Sequence, residues 1–116
     1  MKRIIRTAQW AALAIFGISV VLTSPVRADD PVTLHISVKD RRFEPAEITA
    51  PANTRIILKV KNLDPTAMEF ESASLRVEKV VAPNTEGTFN LRPLQPGRYP
   101  FMDDFHQQTT GVLIVK

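Results

Sequence analysis

From Val32 to Lys39 the chain alternates strictly, with Val32, Leu34, Ile36 and Val38 apolar and Thr33, His35, Ser37 and Lys39 polar. A two-residue period marks a strand with one buried face. The period returns over Arg55 to Lys61 through Ile56, Leu58 and Val60, and over Gly87 to Leu91; Gly111 to Val115 is a short apolar run. Shorter strand-like pieces lie at Glu47 to Thr49, Met68 to Glu71, Val77 to Val81 and Arg98 to Phe101. Turn-forming residues separate them at Asp40-Arg41-Arg42, Pro51-Ala52-Asn53-Thr54, Asn62 to Thr66, Pro83-Asn84 and Pro96-Gly97. Only Ser72 to Val77 has any helical spacing, and it is too short for a helix. The pattern predicts an all-β protein: one antiparallel β-sandwich of about 7–8 strands with Greek-key connections. There is no internal repeat, no glycine-rich phosphate loop and no linker inside this stretch.

The start of the chain has a different pattern. Lys2, Arg3 and Arg6 precede an uncharged apolar run from Ala11 to Thr23, and Val26-Arg27-Ala28 offers small or branched residues at the −3 and −1 positions of a cut before Asp29. These are the three zones of a secretory signal peptide. The apolar run is shorter than the roughly 20 residues that span a bilayer. The expected organisation is a cleaved signal over 1–28 and a single domain over 29–116, with no stable membrane insertion after cleavage. Export of a chain without cysteine points to a bacterial periplasm.

Charge follows the same division. The whole chain has 15 Lys and Arg against 12 Asp and Glu. Lys2, Arg3, Arg6 and Arg27 all belong to the leader, which leaves 11 cations against 12 acids beyond it. The domain is therefore close to neutral, and no nucleic acid partner is expected. With no cysteine, the chain has no disulfide, no thiolate nucleophile and no copper thiolate.

Two stretches carry polar chemistry that a sandwich does not need. In Met68-Glu69-Phe70-Glu71, strand alternation points both carboxylates to one side, roughly 7 Å apart, where they repel unless a cation or proton lies between them. In Met102-Asp103-Asp104-Phe105-His106, read as the loop before the last strand, two carboxylates, an imidazole and a thioether fall within five residues. That donor set suits a first-row metal. Each residue also has a plainer reading: Glu69 and Glu71 as a solvated strand face, Asp103 and Asp104 as turn formers, His106 as a surface histidine, and Met68 and Met102 as core filler. His35, on the polar face of the first strand, reads as a surface residue. No nucleophile and base are paired in sequence.

Lys39-Asp40-Arg41-Arg42-Phe43-Glu44-Pro45, Ile48, Lys61-Asn62-Leu63-Asp64 and Met68-Glu69-Phe70-Glu71 together resemble the EfeO-type cupredoxin-like domain family of bacterial iron-uptake systems. The ending, Leu94-Gln95-Pro96-Gly97-Arg98-Tyr99-Pro100-Phe101 with His106 and Gly111-Val112-Leu113, extends the likeness across the domain. The resemblance implies a cupredoxin-like Greek-key sandwich in the periplasm, a copper or iron ion, and an iron permease or another uptake component as partner. It also implies metal ligands before and within the last loop. His106 matches the family histidine, Asp103 stands where the copper-binding cysteine would be, and Met68 or Glu69 falls where a histidine is expected. The implied ligand set is Glu69, Glu71, Asp103 and His106, with Met68 or Met102 nearby. The resemblance implies metal binding for iron uptake or ferroxidase-type turnover of Fe(II); the alternative is a metal-free sandwich that acts as a docking or structural partner of a membrane permease.

Overall fold

The alternation seen in sequence becomes nine strands. They are β1 (Val32–Lys39), β2 (Arg42–Glu44), β3 (Glu47–Ala50), β4 (Ile56–Asn62), β5 (Met68–Ser72), β6 (Val77–Val81), β7 (Glu86–Leu91), β8 (Gly97–Asp103) and β9 (His106–Val115). The structure, a computed structural model, describes residues 11–23 and 30–116. Residues 11–23 are exposed and belong to no helix or strand. Lys2, Arg3 and Arg6 and the expected cut between Ala28 and Asp29 lie outside the described residues. Among the described residues no helix is long and apolar enough to cross a membrane.

The strands form two sheets, ordered β2-β1-β4-β7 and β3-β9-β8-β5-β6. Both are mixed rather than antiparallel throughout, because β1 runs parallel to β4 and β3 parallel to β9. A period of two fixes which face of a strand is buried and says nothing about its neighbour's direction. The extra strand is β2, three residues closing a hairpin onto β1.

Inward-facing positions of both sheets meet in one core. Ile36 and Val38 of β1, Ile56, Leu58 and Val60 of β4, and Phe89 and Leu91 of β7 face Met68 and Phe70 of β5, Phe101 of β8, and Leu113 and Val115 of β9. Phe70 is central: its ring lies 4.8 Å from Phe89, 5.1 Å from Phe101 and 6.1 Å from Phe43 by centroids. Phe43 meets Phe101 edge-to-face at 4.9 Å. Such tilted and edge-on contacts add to the area buried by each ring.

Several sequence motifs turn out to build this frame. Asp40 and Arg41 form the two-residue β1–β2 loop with φ of 51° and 57°, a type I′ turn. Asp64 holds it, accepting the Asp40 N–H on Oδ1 at 2.6 Å and the Arg41 N–H on Oδ2 at 3.0 Å. Asn62, fully buried, accepts the Asp64 N–H on Oδ1 and donates from Nδ2 to the Thr66 and Val81 carbonyls at 2.8 and 3.1 Å. Tyr99 closes the Pro96-Gly97 turn by donating its hydroxyl to the Gln95 carbonyl at 2.7 Å.

Candidate metal centre

Strand β5 alternates as expected. Met68, Phe70 and Ser72 face the core, while Glu69 and Glu71 stand half-buried on the outer face of the five-stranded sheet. Across the ladder Glu71 pairs with Glu78 of β6. The turn joining β8 to β9 is only Asp104-Phe105, so Met102 to His106 is a pair of strand ends around a tight turn rather than an open loop. The Asp104 N–H donates to the Glu69 carbonyl at 2.8 Å, which brings the Asp104 side chain to the same outer face. One carboxylate oxygen from each of Glu69, Glu71 and Asp104 lies within 4.8 Å of the others.

The electrostatics follow from this crowding. Partial burial, and then Glu78, Asp104 and Glu71, push the Glu69 carboxyl above its ordinary value. Glu71 is pushed up in the same way by partial burial, then by Asp104 and Glu78. No cationic side chain is within ion-pair distance of Glu69, Glu71 or Asp104 among the described residues. Gln107 Nε2 donates to Asp104 Oδ1 at 3.1 Å and orients that carboxylate.

Asp103 lies on the opposite side of β8. It pairs in register with Phe70 and is 1% exposed. Its Oδ1 accepts the Glu69 N–H and the Phe105 N–H, each at 3.0 Å, and its Oδ2 meets His106 Nδ1 at 2.7 Å. Every buried polar side-chain atom among the described residues has a partner.

The six sequence candidates therefore separate. Glu69 and Glu71 come together on the outer face, with Met102 directly across from Glu71 and lining a shallow apolar recess with it. Asp103 and His106 come together behind them and engage each other. Met68 packs in the core, 2% exposed, between sheets and away from both groups. Asp104 joins the outer cluster, a role the sequence reading did not give it. The signal was there in the parity of β8: with Phe101 inward, Asp103 must also be inward and Met102 outward.

Comparison with known proteins identifies the family of the fold. The family model of the Cupredoxin-like domain matches residues 11–115, and the chain belongs to that family. Protein RP394 of Rickettsia prowazekii (strain Madrid E) is 41% identical over 88 residues, which cover 75% of this chain and 70% of that protein. Among solved structures, the metal-binding domain of the Streptococcus pneumoniae D39 Cu(I)-exporting P-type ATPase CopA, with Cu(I), superposes with a TM-score of 0.69 at 15% identity, covering 80% of this chain and 91% of that one. Auracyanin A, a blue copper protein of Chloroflexus aurantiacus, superposes with a TM-score of 0.62 at 14% identity, covering 75% and 100%. At these identities the structural likeness is one of fold.

Solved structures of similar fold include copper proteins. A blue-copper centre needs a thiolate and two imidazoles. This chain has no cysteine and two histidines, of which His35 is exposed on β1 and paired with Lys59 of β4 in the four-stranded sheet, away from the β8–β9 turn. Both Asp103 oxygens and His106 Nδ1 are committed to protein partners. The donor set does not fit a blue-copper ion.

Proposed function

We propose that this chain is an exported cupredoxin-like protein that binds one hard first-row cation, iron or copper(II), on the outer face of its five-stranded sheet and serves a high-affinity iron-uptake system. The observation that carries the reading is the convergence of Glu69, Glu71 and Asp104 oxygens within 4.8 Å, with no neutralising side chain among the described residues. An all-oxygen set favours hard ions, and Fe(III) over Fe(II). The role is one of binding, with iron as cargo. Export is supported by the N-terminal pattern of Lys2 to Ala28, and the iron-permease partner by the EfeO-type resemblance.

Thermal denaturation of the metal-free protein with added Mn(II), Cu(II) or anaerobic Fe(II) tests the reading. A ligand that binds only the folded state raises stability by about 2.7 kcal/mol at one hundred times its Kd. The rise should vanish in Glu71→Gln; an equal rise in that variant contradicts the site. Phe105, an aromatic side chain left 51% exposed at the β8–β9 turn, favours the alternative of a metal-free docking partner for a membrane permease. Absence of any saturable cation effect would turn the account to that alternative.

A further inference from the structure

Strands β8 and β9 fall out of step beside the Asp103–His106 pair. Asp103 pairs with His106 but Met102 pairs with Thr110, so Gln107, Gln108 and Thr109 are looped out opposite a single step of β8. Irregularities of this kind re-aim side chains and bend a strand away from its partner. Here the excursion reaches the β1–β2 hairpin in the other sheet, where the Thr109 hydroxyl donates to the Arg41 carbonyl at 2.8 Å. Between the excursion and the hairpin lies a cleft of about 590 Å³, walled by Arg41, Arg42, His106, Gln107, Gln108 and Thr109.

The chemistry of this wall is one-sided. None of the six residues is acidic, and two are arginines. Neither guanidinium has a carboxylate within ion-pair distance among the described residues. His106 gives its Nδ1 to Asp103, which leaves Nε2 as the free ring nitrogen of a residue lining the cleft. The Gln107 and Gln108 amides are exposed.

The backbone beneath Arg41 adds an independent observation. Arg41 occupies the second central position of the type I′ turn at φ 57°, a conformation that favours glycine and disfavours a long side chain. Asp64 and Thr109 hold that backbone from both sides. Departures from local preference concentrate where a side chain has work beyond folding.

We propose that this cleft binds a small, multiply charged oxyanion of the phosphate or polycarboxylate class. Arg41 and Arg42 supply planar, bidentate donors matched to such groups, and the glutamine amides and His106 Nε2 supply further donors. The volume falls in the range of small-molecule sites. The site is distinct from the cation cluster and meets it only at Gln107, whose Nε2 also donates to Asp104 Oδ1.

Calorimetric titration of the metal-free protein with inorganic phosphate and, separately, with citrate, at constant ionic strength in chloride, tests the proposal. Saturable one-to-one binding of at least one anion is expected, and the tighter of the two identifies the class. Arg41→Gly and Arg42→Gln should each weaken it by about tenfold or more, the scale of one lost charge-assisted pair. Arg41→Gly should also leave the melting temperature unchanged or higher, because glycine suits the turn, so loss of binding cannot be loss of folding. Removing two positive charges elsewhere, by Arg92→Gln with Arg98→Gln, should leave affinity nearly unchanged, as should Glu71→Gln. No saturable binding of either anion, or an equal loss in the Arg92/Arg98 variant, overturns the proposal.

Discussion

Asp103 Oδ2 and His106 Nδ1 face each other at 2.7 Å across the β8–β9 turn, at the two positions where the resemblance aligns a copper-binding cysteine and histidine. The Asp103 carboxyl is also the acceptor for the Glu69 and Phe105 N–H groups. A protein-only link thus ties β5, β8 and β9 together at this end of the sandwich.

Removing that link should be costly. Asp103→Ala leaves two N–H groups and an imidazole without their acceptor in a buried setting, a loss of about 3 kcal/mol by chemical denaturation. Asp103→Asn, which keeps an oxygen for the N–H donors, should lose less. Asp103→Cys should give no intense blue colour with Cu(II), because a second imidazole is missing. Wild-type stability in Asp103→Ala, or a blue copper band in Asp103→Cys, would contradict the assignment.

The Asn62–Asp64 brace makes a second prediction. Asp64→Ala strands the Asp40 and Arg41 N–H groups at a turn of positive φ and should cost about 1–3 kcal/mol. Amide exchange at Asp40 and Arg41 should accelerate together in this variant, while exchange in the β8–β9 pair stays slow.

Gly111 is required by close approach rather than by its backbone angle. A Cβ there would collide with the Phe101 ring at Cε2 and sit 2.8 Å from the Ala46 carbonyl oxygen. Gly111→Ala should therefore cost about 1–3 kcal/mol through overpacking, read as a lower denaturation midpoint with an unchanged slope.

The outer carboxylates predict a pH dependence. Glu69 and Glu71 are raised above the ordinary carboxyl value in the folded protein, first by partial burial and then by their acidic neighbours. Between the ordinary value and the raised ones the folded state holds more protons than the unfolded state. Stability of the metal-free protein therefore rises as pH falls through that window and drops as pH climbs out of it toward neutral. The variant carrying Glu69→Gln with Glu71→Gln should show a flatter profile and a higher melting temperature than the wild type at neutral pH. A steeper profile would contradict the crowding.

Much of the frame was legible in sequence because the core faces of β1, β4 and β5 are written in strict alternation at Ile36, Leu58 and Phe70. The parallel pairing of β1 with β4 was not, since burial parity carries no strand direction. The candidate site was legible in part. Glu69 and Glu71 shared a face by spacing alone, but Asp103 and Asp104 differ by one position and hence by one face. Extending the parity of Phe101 along β8 makes Asp103 the buried one, and its register against Phe70 agrees. The Asn62-Leu63-Asp64 and Pro96-Gly97-Arg98-Tyr99 motifs carried the family likeness, and their side chains prove to brace turns. The basic cleft could not be foreseen, because it joins Arg41 to Thr109 across 68 positions of chain through an irregularity in β9.

The central claim is that a cation sits on Glu69, Glu71 and Asp104 and that His106 is not its ligand. The most direct measurement is calorimetric titration of the metal-free protein with Cu(II), Mn(II) and anaerobic Fe(II), compared with Asp104→Asn and His106→Ala. The account predicts one-to-one binding that Asp104→Asn weakens by about tenfold or more, the scale of one lost ionic ligand, and that His106→Ala leaves unchanged. Binding that survives Asp104→Asn and is lost in His106→Ala would contradict it.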